Sequence, residues 1–415
     1  MINKIKTIIK EIIKKLIKSI EYLIIETLYK SKKKDESQIN NKEKSIMILI
    51  SKLNNGGAER VAANISNEIS KKYNLILVTC VEKTDEDYKC DAKRIVLDNN
   101  KKKIFKNLSL VQQLKRIKRE NSITHTISFC SKMNYLNVMS KVDDVAIISI
   151  RNNLSESEKE IKNKHINKIA GKYSDKITVV SKMLIQDQVD NFNAKNEKIS
   201  AIYNFCNEED IDNKLKEENS IDLGDKAVIN VGRLSYQKGQ AHLIRAFKRV
   251  VDFVPDAKLY ILGQGDLKRD LELEIEKNSL EKNVFLLGFQ TNPYIYMQKS
   301  CLFVLSSFYE GMSNVILEAM YCGLPVVSTD CRTGTREIIA PNTALDTKNH
   351  EKTFEEYGVL VPVIKDAEDE NIIADAIIEM LNNNELRNKY KKKSKERISD
   401  FSKDKLINKW VGIIE

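Results

Sequence analysis

The sequence predicts an α/β chain made of two Rossmann-like domains, each a doubly wound, mostly parallel sheet with helices on both faces. Two observations carry that expectation. Short apolar runs alternate with helical stretches, and the alternation occurs as two series separated by the polar segment Asn207–Ser220. The length, 415 residues, fits two large domains, and a composition of 42% hydrophobic and 31% charged residues is ordinary for a globular protein.

Residues 1–34 come before the first series. Ile5, Ile9, Ile12, Leu16, Ile20, Leu23 and Leu28 recur mostly three or four positions apart and draw an apolar stripe along one helix. The segment holds ten lysines and three glutamates, so it carries +7 of the chain's net +10. It lacks the roughly 20 successive apolar residues that a spanning helix needs and the cleavage pattern of a signal peptide. A basic amphipathic helix suits an anionic membrane surface, where each lysine near the headgroups adds about 1 kcal/mol. Packing on its own protein or on a second copy is the alternative. Residues 35–44 are charge-rich and read as a linker.

The first series, 45–205, begins with Ser45–Ile50, a continuous apolar run as in a strand buried on both faces. Asn74–Cys80, Ile123–Phe129, Val145–Ile150 and Lys176–Val180 follow as strands. The second series, 206–390, has strands at Lys226–Val231, Lys258–Leu262, Val284–Leu287, Leu302–Leu305 and Pro325–Ser328, with helices over Gln240–Val251 and Leu267–Lys277. Residues 391–415 read as a Lys-rich helical tail with the only tryptophan, Trp410. Two such domains are expected to face a central cleft, with ligands beyond the carboxyl ends of the strands.

Seven cysteines occur without a C-x-x-C pair, and four histidines are scattered, a pattern of neither a zinc site nor a disulfide framework. Cys301 and Cys322 read as buried small hydrophobes, and a reducing, cytoplasmic compartment is expected. Asp85-Glu86-Asp87 reads as a polar loop, so no metal is called for.

Four glycine-bearing turns follow strands. Gly56-Gly57 lies after the first strand and before a helix, which lets the backbone approach a ligand and offers free amides. In the Gly232–Gly239 loop, Arg233 and Lys238 can place two cations around one diphosphate. Gly263 and Gly265 supply two glycines of a dinucleotide fingerprint whose third glycine is missing. In the fourth turn Glu310 sits in a loop and a helix starts near Ser313–Asn314, both good N-cap types. The amides of Gly311, Met312, Ser313, Asn314 and Val315 then form an anion site, with Glu318 one turn inside the helix.

Glu310 and Glu318 form the E-x7-E pattern of retaining glycosyltransferases. With GGAERV (56–61), GRLSYQKG (232–239), LYILGQGDLKRDLE, EGMSNVILEAM and GLPVVSTDCRTGTREII (323–339), the chain resembles glycosyltransferase family 4, of the GT-B fold, over about residues 45–390. The resemblance extends to capsular and exopolysaccharide hexosyltransferases. It implies transfer of a hexose or N-acetylhexosamine from a UDP-sugar with retention, the UDP-sugar being a co-substrate and no cofactor being needed. It implies that Arg233 and Lys238 neutralise the leaving diphosphate, that Glu310 contacts the transferred sugar, and that Glu318 contacts the ribose. Gly57 would close a loop over the phosphates, and the amides of Asn314 and Val315 would hold the diphosphate. Many relatives carry a histidine in the first domain where Ile127–Asn134 has none, and His125 reads as structural. Ser128, Asn134, Arg151 and Asn152 are the expected acceptor or sugar contacts, the last two within ISIRNNLSE, and Glu337 is expected near the donor cleft.

The expected acceptor is lipid-linked or a surface polysaccharide, met at the inner face of the cell membrane. A NAD-dependent oxidoreductase or another nucleotide-sugar-modifying enzyme on the same type of sheet is one alternative, but the glycine fingerprint it needs is incomplete. A non-catalytic membrane- or nucleic-acid-binding protein is the other. The nearly neutral body and 7% aromatic content argue against a nucleic-acid partner. Oligomeric state is not legible.

Overall fold

The structure, a computed structural model, describes residues 2–31, 43–54, 56–85, 87–99, 105–156, 161–218 and 220–415. The expected linker lies outside these residues apart from Glu43 and Lys44. The chain forms two compact units, one of Met1–Val179, Ile185–Ser200 and Trp410–Glu415, the other of Val180–Leu184 and Ala201–Lys409.

In the first unit seven strands, β1 (Ser45–Leu49), β2 (Asn74–Thr79), β3 (Lys93–Val96), β4 (His125–Phe129), β5 (Val145–Ile150), β6 (Lys176–Val179) and β7 (Ile199–Ala201), lie in the order β3-β2-β1-β4-β5-β6-β7. Strands β1 to β6 pair in parallel. The helices are α1 (Ile2–Lys30), α2 (Gly57–Ile69), α3 (Lys106–Glu120), α4 (Ser131–Met139), α5 (Lys164–Tyr173) and α6 (Met183–Phe192). Ile46 to Ile50 are fully buried, which is why the run is apolar without alternation.

The expected tail is divided. Residues 391–409 belong to the second unit, and the last six residues return to the first, because Trp410 is buried there with its ring 6.3 Å from that of Phe129. Lys176 Nζ and Lys44 Nζ donate to the carbonyls of Ile413 and Ile414, which have no later helical turn to bond.

His125 is buried in β4 beside Thr124 Oγ1, at 3.0 Å. Burial, aided by Lys44 and Lys176, pushes its pKa down to about 4. An unfolded histidine titrates near 6.5, so between that pH and 4 the unfolded chain binds a proton that the folded chain does not. Stability therefore falls as pH drops through this window, by up to about 3 kcal/mol from this group. In urea unfolding at pH 7 and 4.5, a His125→Gln variant is expected to show a smaller loss than the wild type. An equal loss would contradict the assignment.

The second unit repeats the plan with β8 (Ala227–Val231), β9 (Lys258–Leu262), β10 (Val284–Gly288), β11 (Leu302–Leu305), β12 (Val326–Thr329), β13 (Thr353–Phe354) and β14 (Val359–Val361). Their order is β10-β9-β8-β11-β12-β14-β13, parallel except for β13 against β14. Helices α7 (Glu208–Leu215), α8 (Gln240–Phe253), α9 (Lys268–Lys277), α10 (Tyr294–Lys299), α11 (Asn314–Tyr321), α12 (Thr335–Ile339), α13 (Ala367–Asn382), α14 (Asn384–Ile398) and α15 (Lys403–Ile414) complete the chain. Strand order reverses between β8 and β11. In such sheets the crevice beyond those two carboxyl ends is where a ligand sits.

Candidate active site

The loops after β8 and β11 are tied together at that reversal. Phe308 N donates to Gln237 O at 2.9 Å, Gln237 Nε2 to Tyr309 O at 2.8 Å, and Ser306 Oγ to Lys238 O at 2.8 Å. The approach is close enough to require glycine at position 239. Its φ is +61°, and a Cβ there would meet Ser306 O at 2.2 Å. This stitching brings Lys238 Nζ to 2.6 Å from Glu310 Oε1, which also accepts from Ser307 Oγ at 2.7 Å. Both side chains are largely buried, so the pair is charge-assisted and only weakly screened.

Further bonds fix Glu310 and its loop. Thr333 Oγ1 donates to the Glu310 carbonyl, and Gly334, at φ +78°, packs so tightly that a Cβ would lie 2.6 Å from Gly311 O. Helix α11 starts at Asn314 with Ser313 as N-cap, as the sequence predicts. Ser313 does not cap it, however. Ser313 Oγ and Asn314 Oδ1 are buried without a hydrogen-bond partner among the described residues, and so is Thr335 Oγ1. Buried polar atoms in this state call for a partner from outside the chain, a water, an ion or a ligand. Glu318 is buried in the next turn.

Arg233 is exposed at the start of the Gly232–Gly239 loop, with its carbonyl held by Gln240 Nε2 at 3.1 Å. Gly263 and Gly265 serve this loop from behind. Cβ atoms on them would meet Gly232 O at 1.9 Å and Leu234 O at 2.2 Å, and Leu234 N donates to Gln264 O. The two glycines allow one turn to brace another. Gly265→Ala is expected to displace the Arg233 loop and cost about 1–3 kcal/mol of stability. Thermal unfolding measures it, and an unchanged melting temperature would contradict the bracing role.

Glu337 is not at this loop pair. Its carboxylate accepts from Ser181 Oγ, Lys182 N (2.8 Å), Met183 N (3.5 Å) and Tyr203 OH (2.8 Å), and so caps the amino end of α6. Burial, with the Glu337 charge beside it, raises the Tyr203 pKa. Glu337 is expected from the sequence near the donor cleft, and these four bonds occupy its carboxylate.

In the first unit Gly56 is extended and Gly57 opens α2, neither in the left-handed region, so this turn serves to start a helix at the end of β1. Ser128 and Asn134 do not reach the surface. Ser128 Oγ donates to Asn134 Oδ1 at 2.9 Å, while Asn137 Nδ2 reaches Ser128 Oγ at 3.1 Å, so these polar atoms hold α4 to the sheet. Arg151 and exposed Asn152 follow β5 at the carboxyl edge. Asp87 is bound to Arg94 at 2.5 Å. Cys301 and Cys322 are half-buried, not fully buried as expected, and burial pushes the Cys322 thiol up to about 12.

Residues 211–397 match the family described as Glycosyl transferases group 1. An uncharacterized glycosyltransferase of Methanocaldococcus jannaschii is 34% identical over 363 residues, 78% of this chain and 88% of that protein. The chain belongs to the group 1 glycosyltransferases. A second relative, from Campylobacter jejuni, is N-acetylgalactosamine-N,N'-diacetylbacillosaminyl-diphospho-undecaprenol 4-alpha-N-acetylgalactosaminyltransferase, 32% identical over 372 residues, 86% of this chain and 96% of that enzyme. This glycosyltransferase also shares its fold with Anabaena HepE, crystallised with UDP, at a TM-score of 0.72 and 17% identity over 89% of this chain and 99% of that one. The GT-B fold class read from the sequence is thereby met by two seven-stranded Rossmann-like units.

The sequence missed Ser307, Thr333, Gln237 and Gln240, which position the charged pair and its loops. Paired serines before Phe308 and a Thr-Gly-Thr turn were the available signals. Neither is distinctive until the strand ends are placed side by side.

Proposed function

We propose that this glycosyltransferase moves a hexose or N-acetylhexosamine from a UDP-sugar to a lipid-linked or surface-polysaccharide acceptor at the cytoplasmic membrane face. Retention of configuration and independence of metal are part of the proposal. The observation that carries it is the Lys238–Glu310 pair at the β8/β11 reversal, beside the unsatisfied amino end of α11. As its bond to the sugar C1 breaks, the diphosphate gains one negative charge beside the two it already carries. Lys238 and Arg233 neutralise them, and the amides of Gly311 to Val315 accept the remaining charge. Glu310 takes hydrogen bonds from sugar hydroxyls, and Glu318 from ribose hydroxyls. The acceptor oxygen attacks from the face that the diphosphate leaves, and its proton passes to a diphosphate oxygen. The UDP bound in Anabaena HepE and the diphospho-undecaprenol in the C. jejuni enzyme's name support the donor and acceptor classes. No capsule-specific feature is needed.

The membrane half of the proposal rests on α1. Its inner face is occupied: Glu21 and Ile25 are buried, Tyr22 packs edge-on to Tyr135 at 5.2 Å, and Tyr29 meets Tyr173 at 5.1 Å. A helix turns 100° per residue, so Ile12, Leu16, Ile20 and Leu23 lie on the opposite side. Ile12, Leu16 and Leu23 are 59%, 60% and 66% exposed, and Ile13 and Leu28 are exposed too. No described helix is long and apolar enough to cross a membrane. An apolar stripe on a lysine-rich helix, turned away from its own protein, fits the interface of an anionic bilayer.

Incubating the full chain in EDTA with UDP-glucose, UDP-galactose and their N-acetylhexosamine counterparts, and a polyprenyl-diphosphate glycan, tests the transfer. A mass increase of one sugar with one of the donors is expected. No product with any donor, or product only when a metal is restored, would count against the proposal.

A further inference from the structure

Arg151 is the cation that the first unit leaves unsatisfied. It follows β5 directly, and both terminal guanidinium nitrogens are shielded from solvent with no hydrogen-bond acceptor among the described residues. Burial pulls its pKa from 12.5 to about 9. A guanidinium taken out of water without a partner is costly, and its planar fork of donors matches phosphate oxygens.

Its place in the sheet is also informative. Strand order in this unit reverses between β1 and β4, which puts the ligand crevice beyond their carboxyl ends. Helix α4 begins there. Its N-cap residue is Cys130, at φ +72°, whose own side chain makes no capping bond, and Cys130 lies close enough to Arg151 to affect its charge.

A cluster of lysines converges on the same helix end. Glu21 of α1 accepts from Leu108 N and Asn107 Nδ2, both at 3.0 Å, at the start of α3. Tyr22 stacks edge-on against Tyr135 of α4. Lys106, in the first turn of α3, and Lys18 lie close enough to Lys132, in the first turn of α4, to repel its charge. Burial, with Lys106 and Lys18 repelling, holds the Lys132 ammonium below its ordinary pKa.

We propose that the amino end of α4, Arg151 and Lys132 form an anion site in the first unit that takes the phosphate or diphosphate of the acceptor. The inference rests on the transfer reading above for the word acceptor, but the site stands on its own geometry. A bound diphosphate supplies the missing acceptors to the Arg151 nitrogens at the helix end that carries Lys132. Without it, Arg151 is a stability defect retained for binding.

Pyrophosphate titrated calorimetrically into the full chain already saturated with UDP tests the site, because UDP occupies any diphosphate position around Arg233 and Lys238. One further pyrophosphate site is expected. Arg151→Gln should weaken it at least tenfold and Lys132→Gln severalfold, with UDP affinity unchanged in both. Arg151→Met should raise the melting temperature of the ligand-free chain, since a structural arginine would lower it on removal. In steady state, Arg151→Gln should raise KM for a diphosphate-linked acceptor while leaving KM for the same glycan without phosphate unchanged. Undiminished pyrophosphate binding in Arg151→Gln, or a parallel loss of UDP affinity, would overturn the assignment, the second by giving the anion to the donor. If UDP gives no heat, the transfer reading fails while the Arg151 variants still decide the anion site.

Discussion

Replacing Glu310 with alanine is expected to reduce the rate of sugar transfer by roughly 10²–10³-fold, the scale found when one preorganised polar group is removed from a transition state. The carboxylate is held by Lys238 Nζ at 2.6 Å and Ser307 Oγ at 2.7 Å, and its backbone by Thr333, so its geometry is set before a ligand arrives. The loss should fall on kcat, because the sugar hydroxyls are bound most tightly as charge develops at C1. UDP affinity should change little, since the Lys238 charge stays in place and is freed from its partner. Lys238→Met is expected to act differently, losing both UDP affinity and rate, because Glu310 is then left buried beside the diphosphate without a counter-charge. Initial rates and UDP titrations of the two variants separate these outcomes. Equal kinetics for Glu310→Ala and wild type would remove Glu310 from the mechanism.

The second large effect concerns α1. The triple change Ile12→Asp, Leu16→Asp, Ile20→Asp is expected to weaken binding to vesicles containing anionic lipid by more than 100-fold, each apolar side chain contributing roughly 2 kcal/mol when buried in the interface. The substitutions lie on the outward face, so melting temperature and UDP binding should be unchanged. Deleting residues 1–34 is a harsher change, because it uncovers Tyr135 and removes the Glu21 carboxylate from the amino end of α3. Sedimentation with anionic and with neutral vesicles gives the answer. Equal pelleting of the triple variant and wild type would contradict the assignment of this face.

Much of the fold is legible in the sequence because strands buried on both faces are unbroken apolar runs, as in Ser45–Ile50, and four of the runs are followed by glycine-bearing turns. The second unit's site is legible for the same reason: Lys238 and Glu310 each lie a few residues past a strand end, and parallel pairing places such ends side by side. The carboxylate of Glu337 turns to the amides of Lys182 and Met183, more than 150 residues earlier, a contact that sequence spacing does not show. Ser128 and Asn134 are uncharged polar residues near a strand end, where such a residue can serve a ligand or a neighbour, and here they bond each other. Only burial separates the two. In α1 the apolar stripe and the inner face share the same three-to-four spacing, so the periodicity alone could not assign Tyr22 and Ile25 to the body and Leu16 and Leu23 to the outside. The structure packs one face on the body and leaves the other exposed, which meets the packing reading and leaves the membrane reading to the vesicle experiment.

The central claim is that the Arg233–Lys238 loop binds the diphosphate of a UDP-sugar. Calorimetric titration of UDP into the wild-type chain and into the Arg233→Ala, Lys238→Met double variant tests it most directly. One site in the wild type is predicted, weakened at least 100-fold in the variant, since two charge-assisted contacts of about 1.5–3 kcal/mol each are removed. No UDP binding to the wild type, or equal affinity in the two proteins, would contradict the account.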